Sequence, residues 1–160
     1  MSVRVDVQRA AGEDSTPDNA FVAEWVTRAV EAARGTGDSE VSVRIVDAGE
    51  IQALNRDYRG RDKPTNVLSF PAGDVAGLPD DEPAPLGDIV VCASVVRDES
   101  AAQGKTTRDH WAHMLVHGAL HLLGYDHESE AEADAMEALE TTILAAHGIG
   151  DPYKAAAKNC

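Results

Sequence analysis

The architecture of the chain follows from one nearly continuous apolar run, Asp88-Ile89-Val90-Val91-Cys92-Ala93-Ser94-Val95-Val96. A short apolar run of this kind is typical of a buried strand, so we predict a strand over 88–96. The segment Val67-Leu68-Ser69-Phe70 predicts another strand upstream. The two are separated by a Pro-, Gly- and Asp-rich segment from Pro71 to Gly87. It is long for a loop in a compact domain, and we expect it to be either functional or mobile.

Two segments nearer the N-terminus, 3–7 and 41–45, alternate apolar and polar residues with the period of a half-buried strand. Between them, Thr16-Pro17 resembles an N-cap followed by proline at the first helical position. Apolar residues then continue at helical spacing as far as Gly35. These patterns predict a strand, a helix and a second strand in that order.

The rest of the chain predicts further helices. Asp47 and Glu50 have the spacing of a capping box, which would open a helix that ends near Gly60. A short helix is expected from Arg97 to Gln103, a longer one from Thr106 or Thr107, and a last one over 129–147. The buried face of the last helix is expected to hold Ala133, Met136, Leu139, Ile143 and Leu144. The order of elements predicts an α+β fold, with a small mixed sheet of about four strands packed with four to five helices.

A length of 160 residues is most simply one domain, which we place at 1–153, with 154–160 as a mobile C-terminal tail. Cys92 lies in the predicted buried strand and Cys160 is the last residue, so we expect no structural disulfide. The sequence shows no charged-then-apolar leader and no apolar run approaching the ~20 residues of a membrane span. We therefore expect a soluble cytoplasmic protein without a membrane partner.

The formal net charge of −14 argues against a protein that grips nucleic acid over its whole surface. However, Arg56, Arg59, Arg61 and Lys63 fall within one short stretch. Such a stretch on an acidic body predicts local binding of a phosphate chain. A solvated basic loop is an equally good interpretation of the charges alone.

Five of the six histidines lie between His110 and His127. His117 and His121 are four residues apart and would share one face of a helix. Gly124 can end that helix in a left-handed turn and return His127 as a third ligand. Three imidazoles without a fourth protein ligand are typical of a catalytic zinc ion, although the same ligands also suit nickel or copper.

Residues next to these histidines limit the reactions that the predicted site could catalyse. Gly118 stands where a zinc protease of the HExxH kind carries its glutamate base, so peptide hydrolysis by that route is not expected. Other hydrolytic chemistry remains open. Asp126 is equally consistent with orienting a ligand imidazole and with forming a turn. His110 and His113 lie upstream of the pair, and we do not expect them to be ligands.

The segment His117-Gly-Ala-Leu-His121-Leu-Leu-Gly-Tyr-Asp126-His127 resembles the signature of the YbeY family of bacterial endoribonucleases, also called rRNA maturation factors. Two further segments agree with the family: Asn55-Arg56-Asp57-Tyr58-Arg59 through Lys63-Pro64-Thr65-Asn66-Val67-Leu68-Ser69-Phe70, and Leu86-Gly87-Asp88-Ile89. The resemblance covers about 54–153. The N-terminal third matches only in its expected order of elements.

The resemblance implies one Zn²⁺ per chain, bound by His117, His121 and His127, with Arg59 as the catalytic arginine near the metal. A guanidinium can hold a phosphate through two parallel hydrogen bonds. Many family members carry Asp at the position of Asn66. Because an amide cannot act as a carboxylate base, we expect Asn66 to hold the loop or a ligand by hydrogen bonding.

Arg56, Arg61 and Lys63 would bind substrate. Asn66 and Asp126 would lie next to the metal ligands and hold them in place by hydrogen bonding. Tyr58 and Phe70 are the nearest aromatic candidates for stacking on bases. Each also fits its helix or strand as a core residue, which we favour.

By the same resemblance the chain is a single-strand-specific endoribonuclease. It would mature the 3′ end of small-subunit (16S) rRNA and take part in ribosome quality control. Its partners would be single-stranded RNA, ribosomal RNA and the ribosome or its proteins, with no DNA. One alternative is a ribosome-assembly factor that binds RNA or ribosomal proteins and uses zinc to hold its fold. Another is a zinc hydrolase of a peptide or amide, against which Gly118 counts.

Overall fold

The computed structural model describes residues 2–10, 16–34, 37–72, 83–126 and 128–153. Within these ranges it has four strands and five helices, which confirms the predicted α+β class. Their bounds in chain order are β1 Val3–Arg9, α1 Asn19–Ala33, β2 Ser39–Val46, α2 Ala48–Arg59, β3 Val67–Pro71, β4 Ala84–Cys92, α3 Ala93–Gln103, α4 Thr107–Leu122 and α5 Glu130–Ala145. No helix in these ranges is long and apolar enough to cross a membrane.

The four strands form one mixed sheet in the order β1-β2-β4-β3. β1, β2 and β4 run parallel, and β3 pairs antiparallel with β4 at one edge. The larger core lies between one face of the sheet and helices α1, α4 and α5. A smaller core on the opposite face packs Ile51 of α2 against Leu68, Val90 and Cys92. The sheet therefore separates two apolar layers of unequal size.

Helix α4 is buried on most of its surface, with apolar residues over most of its circumference and its histidines on the remaining side. Gly118 lets it approach the sheet, because a Cβ atom at this position would come within 2.8 Å of Ile89 Cγ2. The Ser69 hydroxyl donates to the Gly118 carbonyl at 2.9 Å and ties α4 to β3. The position that distinguishes this chain from HExxH proteases is thus also required for packing.

The predicted strand over 88–96 was wrong at both ends. β4 begins at Ala84 and stops at Cys92, and α3 starts directly at Ala93. Ala93 and Val96 are buried in the larger core, and a short apolar run does not distinguish a buried strand from the first turn of a buried helix. The separator predicted between the two strands is also shorter, because 84–87 belong to β4. Residues 73–82 lie outside the described part of the chain.

Helix starts were predicted better where a capping side chain marks them. Asp47 caps α2 by accepting the Glu50 N–H at 2.9 Å, although the Glu50 carboxylate binds Arg44 instead of completing the box. The predicted start of α1 was wrong, since Asp18 and not Thr16 caps it. The predicted end at Gly35 and the tail 154–160 with Cys160 lie outside the described residues. Cys92 is a buried free thiol.

Candidate active site

A cleft of about 480 Å³ opens between the C-terminal end of α2, strand β3 and helices α3 and α4. Six of the residues predicted to form a site line it together. They come from the basic stretch, from the start of β3 and from α4: Arg59, Arg61, Lys63, Asn66, His117 and His121. Residues far apart in the sequence therefore meet at one place, with basic side chains and imidazoles lining the same cavity.

His117 and His121 lie one helical turn apart on α4, with ring centroids 4.7 Å apart. The helix closes after them, since the Tyr125 N–H donates to the Leu120 carbonyl at 3.1 Å and the Gly124 N–H donates to the His121 carbonyl at 3.1 Å. Gly124 adopts φ +99°, as the predicted left-handed turn requires. His127 lies outside the described residues, so its predicted part as third ligand stays a prediction.

A buried carboxylate stands behind the histidines. Glu140 of α5 is fully buried and accepts hydrogen bonds from His117 Nδ1 at 2.5 Å, from His113 Nε2 at 3.1 Å and from the Tyr153 hydroxyl. Burial raises the pKa of the Glu140 carboxyl, but the donors from His113, His117 and Tyr153 outweigh this and hold it at about 2. Glu140 is therefore ionised at neutral pH.

The contact with Glu140 assigns the ring nitrogens of His117. A neutral imidazole that donates through Nδ1 presents Nε2 as its acceptor, and a carboxylate behind the ring fixes this tautomer. A metal ion would then be bound through His117 Nε2. Sequence analysis missed Glu140. Its spacing from Met136 and Ile143, four and three residues away on the buried face, is the signal that marks it.

His113, His117 and Glu140 also form a cluster of their own. One ligand atom from each lies within 4.8 Å of the others, so these residues are a possible metal site that differs from the predicted one. Burial lowers the pKa of His113 and outweighs the opposite effect of Glu140. Among the described residues His113 Nδ1 has no hydrogen-bond partner, which fits a neutral ring that donates to Glu140 through Nε2.

A second carboxylate, Glu99 of α3, lines the cleft beside Asn66. The Asn66 amide donates to its two oxygens at 3.1 and 3.3 Å, and His110 Nε2 donates at 2.8 Å. Burial raises the pKa of Glu99, but the bonds from His110 and Asn66 lower it further than burial raises it. Asn66 also accepts the Val67 N–H at 2.7 Å, so it links Glu99 to the first residue of β3.

The basic loop after α2 is fixed by a buried amide. The Asn55 side-chain amide donates to the Lys63 carbonyl at 2.9 Å, and the Asn55 backbone carbonyl accepts the Arg61 N–H at 3.2 Å. Within the described part of the chain, no ion pair neutralises Arg59, Arg61 or Lys63. Arg56 differs, because its guanidinium pairs with Asp57 at 3.0 Å and does not line the cleft.

Asp126 is half-buried in the turn that follows Gly124. Its predicted part in the metal site stays a prediction.

An α+β domain whose cleft combines imidazoles with arginine and lysine side chains defines a class of small proteins suited to binding phosphate groups next to a metal or acid–base centre. Residues 8–148 match the model of the protein family described as "Endoribonuclease YbeY". The chain therefore belongs to the YbeY family, which confirms the resemblance seen in its motifs.

Relatives of high identity carry the same name. The Endoribonuclease YbeY of Halorhodospira halophila is 60% identical over 147 residues, which cover 92% of this chain and 94% of the relative. That of Alkalilimnicola ehrlichii is 57% identical over 139 residues, which cover 86% of this chain and 82% of the relative. The solution structure of the Thermotoga maritima protein TM1509 is similar in fold, with a TM-score of 0.55, 27% identity, and coverage of 95% of this chain and 99% of that one.

Proposed function

We propose that this chain is a zinc-dependent endoribonuclease that cleaves single-stranded RNA in the cytoplasm. Its substrate would be ribosomal RNA, with the 3′ end of 16S rRNA as the processed site and ribosome quality control as a further part of its work. The observation that carries the proposal is the cleft, where Arg59, Arg61 and Lys63 meet His117 and His121. The name shared by its relatives supports RNA as the substrate.

The residues of the cleft fit a zinc ion. Imidazole nitrogens are preferred zinc ligands, and the Glu140 contact prepares His117 to bind through Nε2. His121 lies beside it, and we propose His127 as the third ligand. When bound, zinc would polarise a phosphoryl oxygen and lower the pKa of a coordinated water.

The buried cluster of His113, His117 and Glu140 fits an ion less well. Glu140 already accepts hydrogen bonds from both histidines and from Tyr153, and a metal ligand would have to give these up. Burial and the bond to Glu140 both raise the pKa of the Tyr153 hydroxyl, so Tyr153 remains a donor at neutral pH. We therefore propose that Glu140 orients His117 and that the ion lies in the cleft.

The remaining steps fall to the basic side chains. Arg59 would hold the scissile phosphate with its two-pronged guanidinium and balance the charge that develops on it. Arg61 and Lys63 would bind neighbouring phosphates of the same strand. Arg56 would have to leave Asp57 to do so, and we do not assign it a phosphate. One strand can enter such a cleft, whereas the phosphates of a duplex are held at fixed spacing on its outside.

Two RNA substrates test this proposal. End-labelled RNA without secondary structure should be cleaved, and the same RNA annealed to its complement should resist. A chelator should abolish cleavage and added zinc should restore it. Equal cleavage of both substrates would refute single-strand specificity. If the native protein cleaves neither substrate, and the chelator lowers the melting temperature sharply, the alternative of an assembly factor with a structural zinc ion is correct.

A further inference from the structure

Tyr58 is placed differently from the sequence prediction. It was expected in the core, but 69% of its side chain is exposed. The ring contacts Phe70 edge to face, with centroids 5.2 Å apart, and Phe70 itself is half-buried, in part against the smaller core. Among the described residues the Tyr58 hydroxyl has no hydrogen-bond partner. The fold therefore presents an aromatic surface to solvent on the last turn of α2.

A groove of about 560 Å³ runs beside this ring on the sheet face that carries α2. Its apolar lining consists of Leu54, Tyr58, Phe70 and Val90. Polar side chains from β1, β2, β4 and α2 complete it. This groove is separate from the cleft, and nothing in the proposed chemistry uses it.

The groove and the cleft share a boundary built from neighbouring residues. On α2, Tyr58 lines the groove and Arg59 lines the cleft. On β3, Ser69 faces α4 and lines the cleft, whereas Phe70 faces α2 and lines the groove, because successive side chains of a strand point to opposite faces. The two cavities therefore meet at the last turn of α2, where the phosphate-binding side chain of Arg59 directly follows the ring of Tyr58.

The charges of the groove select the kind of group that fits. Arg44 is already neutralised by Glu50, with a closest distance of 2.6 Å, and Asp88 adds an exposed carboxylate. A phosphate would be repelled there. A nucleobase is uncharged, stacks on aromatic rings and carries amino groups that a carboxylate can accept.

We propose that this groove is a nucleobase-binding subsite, in which the base next to the phosphate held at Arg59 stacks on Tyr58. The proposal rests on the function proposed above, because it takes RNA as the ligand of the cleft. Phe70 supports the Tyr58 ring from its edge. The subsite holds the strand in register and is not part of the chemical step.

Tyr58→Ala and Tyr58→Phe form the matched pair of variants that tests the subsite. Loss of a stacking platform typically weakens binding about tenfold or more. Tyr58→Ala should therefore raise KM for single-stranded RNA by about that factor and leave kcat much less affected. Tyr58→Phe should behave as the native protein, because the ring remains. Both should melt at nearly the native temperature, since the side chain is mostly exposed.

Substrates lacking one base identify the contact. An abasic nucleotide on one side of the scissile phosphate should raise the KM of the native protein as much as Tyr58→Ala does. The KM of the variant should not rise further on that substrate. Independent losses would overturn the proposal. So would native KM in Tyr58→Ala, which would leave the groove to a ligand other than RNA.

A binding measurement separates this proposal from the proposed function. RNA carrying 2-aminopurine at successive positions should show one position whose fluorescence changes with native protein and Tyr58→Phe but not with Tyr58→Ala. If one position depends on Tyr58 but the native protein does not cleave this RNA, the endonuclease proposal fails while the subsite stands. If it cleaves RNA and no position depends on Tyr58, the subsite fails alone.

Discussion

Replacing Glu140 by glutamine tests the buried carboxylate that orients His117, with little change in the shape of the side chain. The carboxylate accepts from His113, from His117 and from Tyr153 in the native protein. A glutamine keeps one acceptor oxygen and turns an NH₂ group toward the remaining donors. If the oxygen keeps the place of Oε1, which accepts from both His113 and Tyr153, the NH₂ group faces His117. His117 can then pair with it only by accepting through Nδ1, which moves the imidazole proton to Nε2. The variant should therefore lose stability and metal affinity together.

The expected loss of stability follows from the pKa of Glu140. It lies at about 2 instead of the ordinary 4.5, which corresponds to about 3 kcal/mol of preference for the charged form in the metal-free fold. Glu140→Gln should lower the free energy of unfolding by about this amount at pH 7. For a domain of this size that is a fall in Tm of about 10 °C. Loss of an orienting partner behind a ligand histidine typically weakens metal binding by about 10- to 100-fold.

The lowered pKa of Glu140 also predicts how the free energy of unfolding depends on pH. A carboxyl whose pKa is lowered on folding stabilises the protein above its unfolded value of 4.5, and this contribution is lost as the pH falls towards 2. Urea unfolding of metal-free native protein and Glu140→Gln should differ by about 3 kcal/mol at pH 7 and by about 1 kcal/mol near pH 2.5. Asp134→Asn, at an exposed position of α5 beyond its first turn, should stay within about 0.5 kcal/mol of native. A difference independent of pH, or native zinc affinity in Glu140→Gln, would refute the reasoning.

Three further changes test the cleft. Arg59→Lys keeps the charge but loses the two parallel hydrogen bonds of the guanidinium, so the cleavage rate should fall about a hundredfold or more while zinc content and Tm stay native. Full activity would show that Arg59 does not hold the scissile phosphate in this way. Asn66→Asp would place a second carboxylate against Glu99 and raise the pKa of Glu99. The free energy of unfolding should fall by about 1–3 kcal/mol at pH 7. A variant as stable as the native protein in urea would contradict the contact between Asn66 and Glu99. RNA binding should weaken steeply with salt, and Arg61→Ala should reduce the slope of log K against log salt by about 0.7. The matched variant Arg56→Ala should change it less, since Asp57 already neutralises that side chain, and equal changes would place both arginines on the strand.

The sequence predicted elements best where the deciding interactions are local. Asp47 caps α2 through a residue only three positions away, and the turn at Gly124 is closed by bonds within one helical turn. The end of β4 was not predictable in this way. Ala93 and Val96 continue the apolar run of the strand, but they lie in the first turn of α3 and pack in the larger core.

The site was predicted as far as its residues fall in motifs. Glu140 lies outside them, and its partners His113 and His117 are 27 and 23 residues away, so no local pattern links them. Tyr58 was misplaced for a related reason. Its spacing from Ile51 and Leu54 is that of a buried helical face, but the smaller core covers Ile51 and leaves the last turn of α2 open.

The zinc content of two matched histidine variants tests the proposed site most directly. His121 lines the cleft and is absent from the buried cluster, whereas His113 belongs to the cluster and does not line the cleft. His121→Ala should lose both the metal and the cleavage of single-stranded RNA. His113→Ala should keep about one zinc ion per chain when assayed below its melting temperature. Zinc retained by His121→Ala and lost by His113→Ala would place the ion at Glu140 and contradict the account.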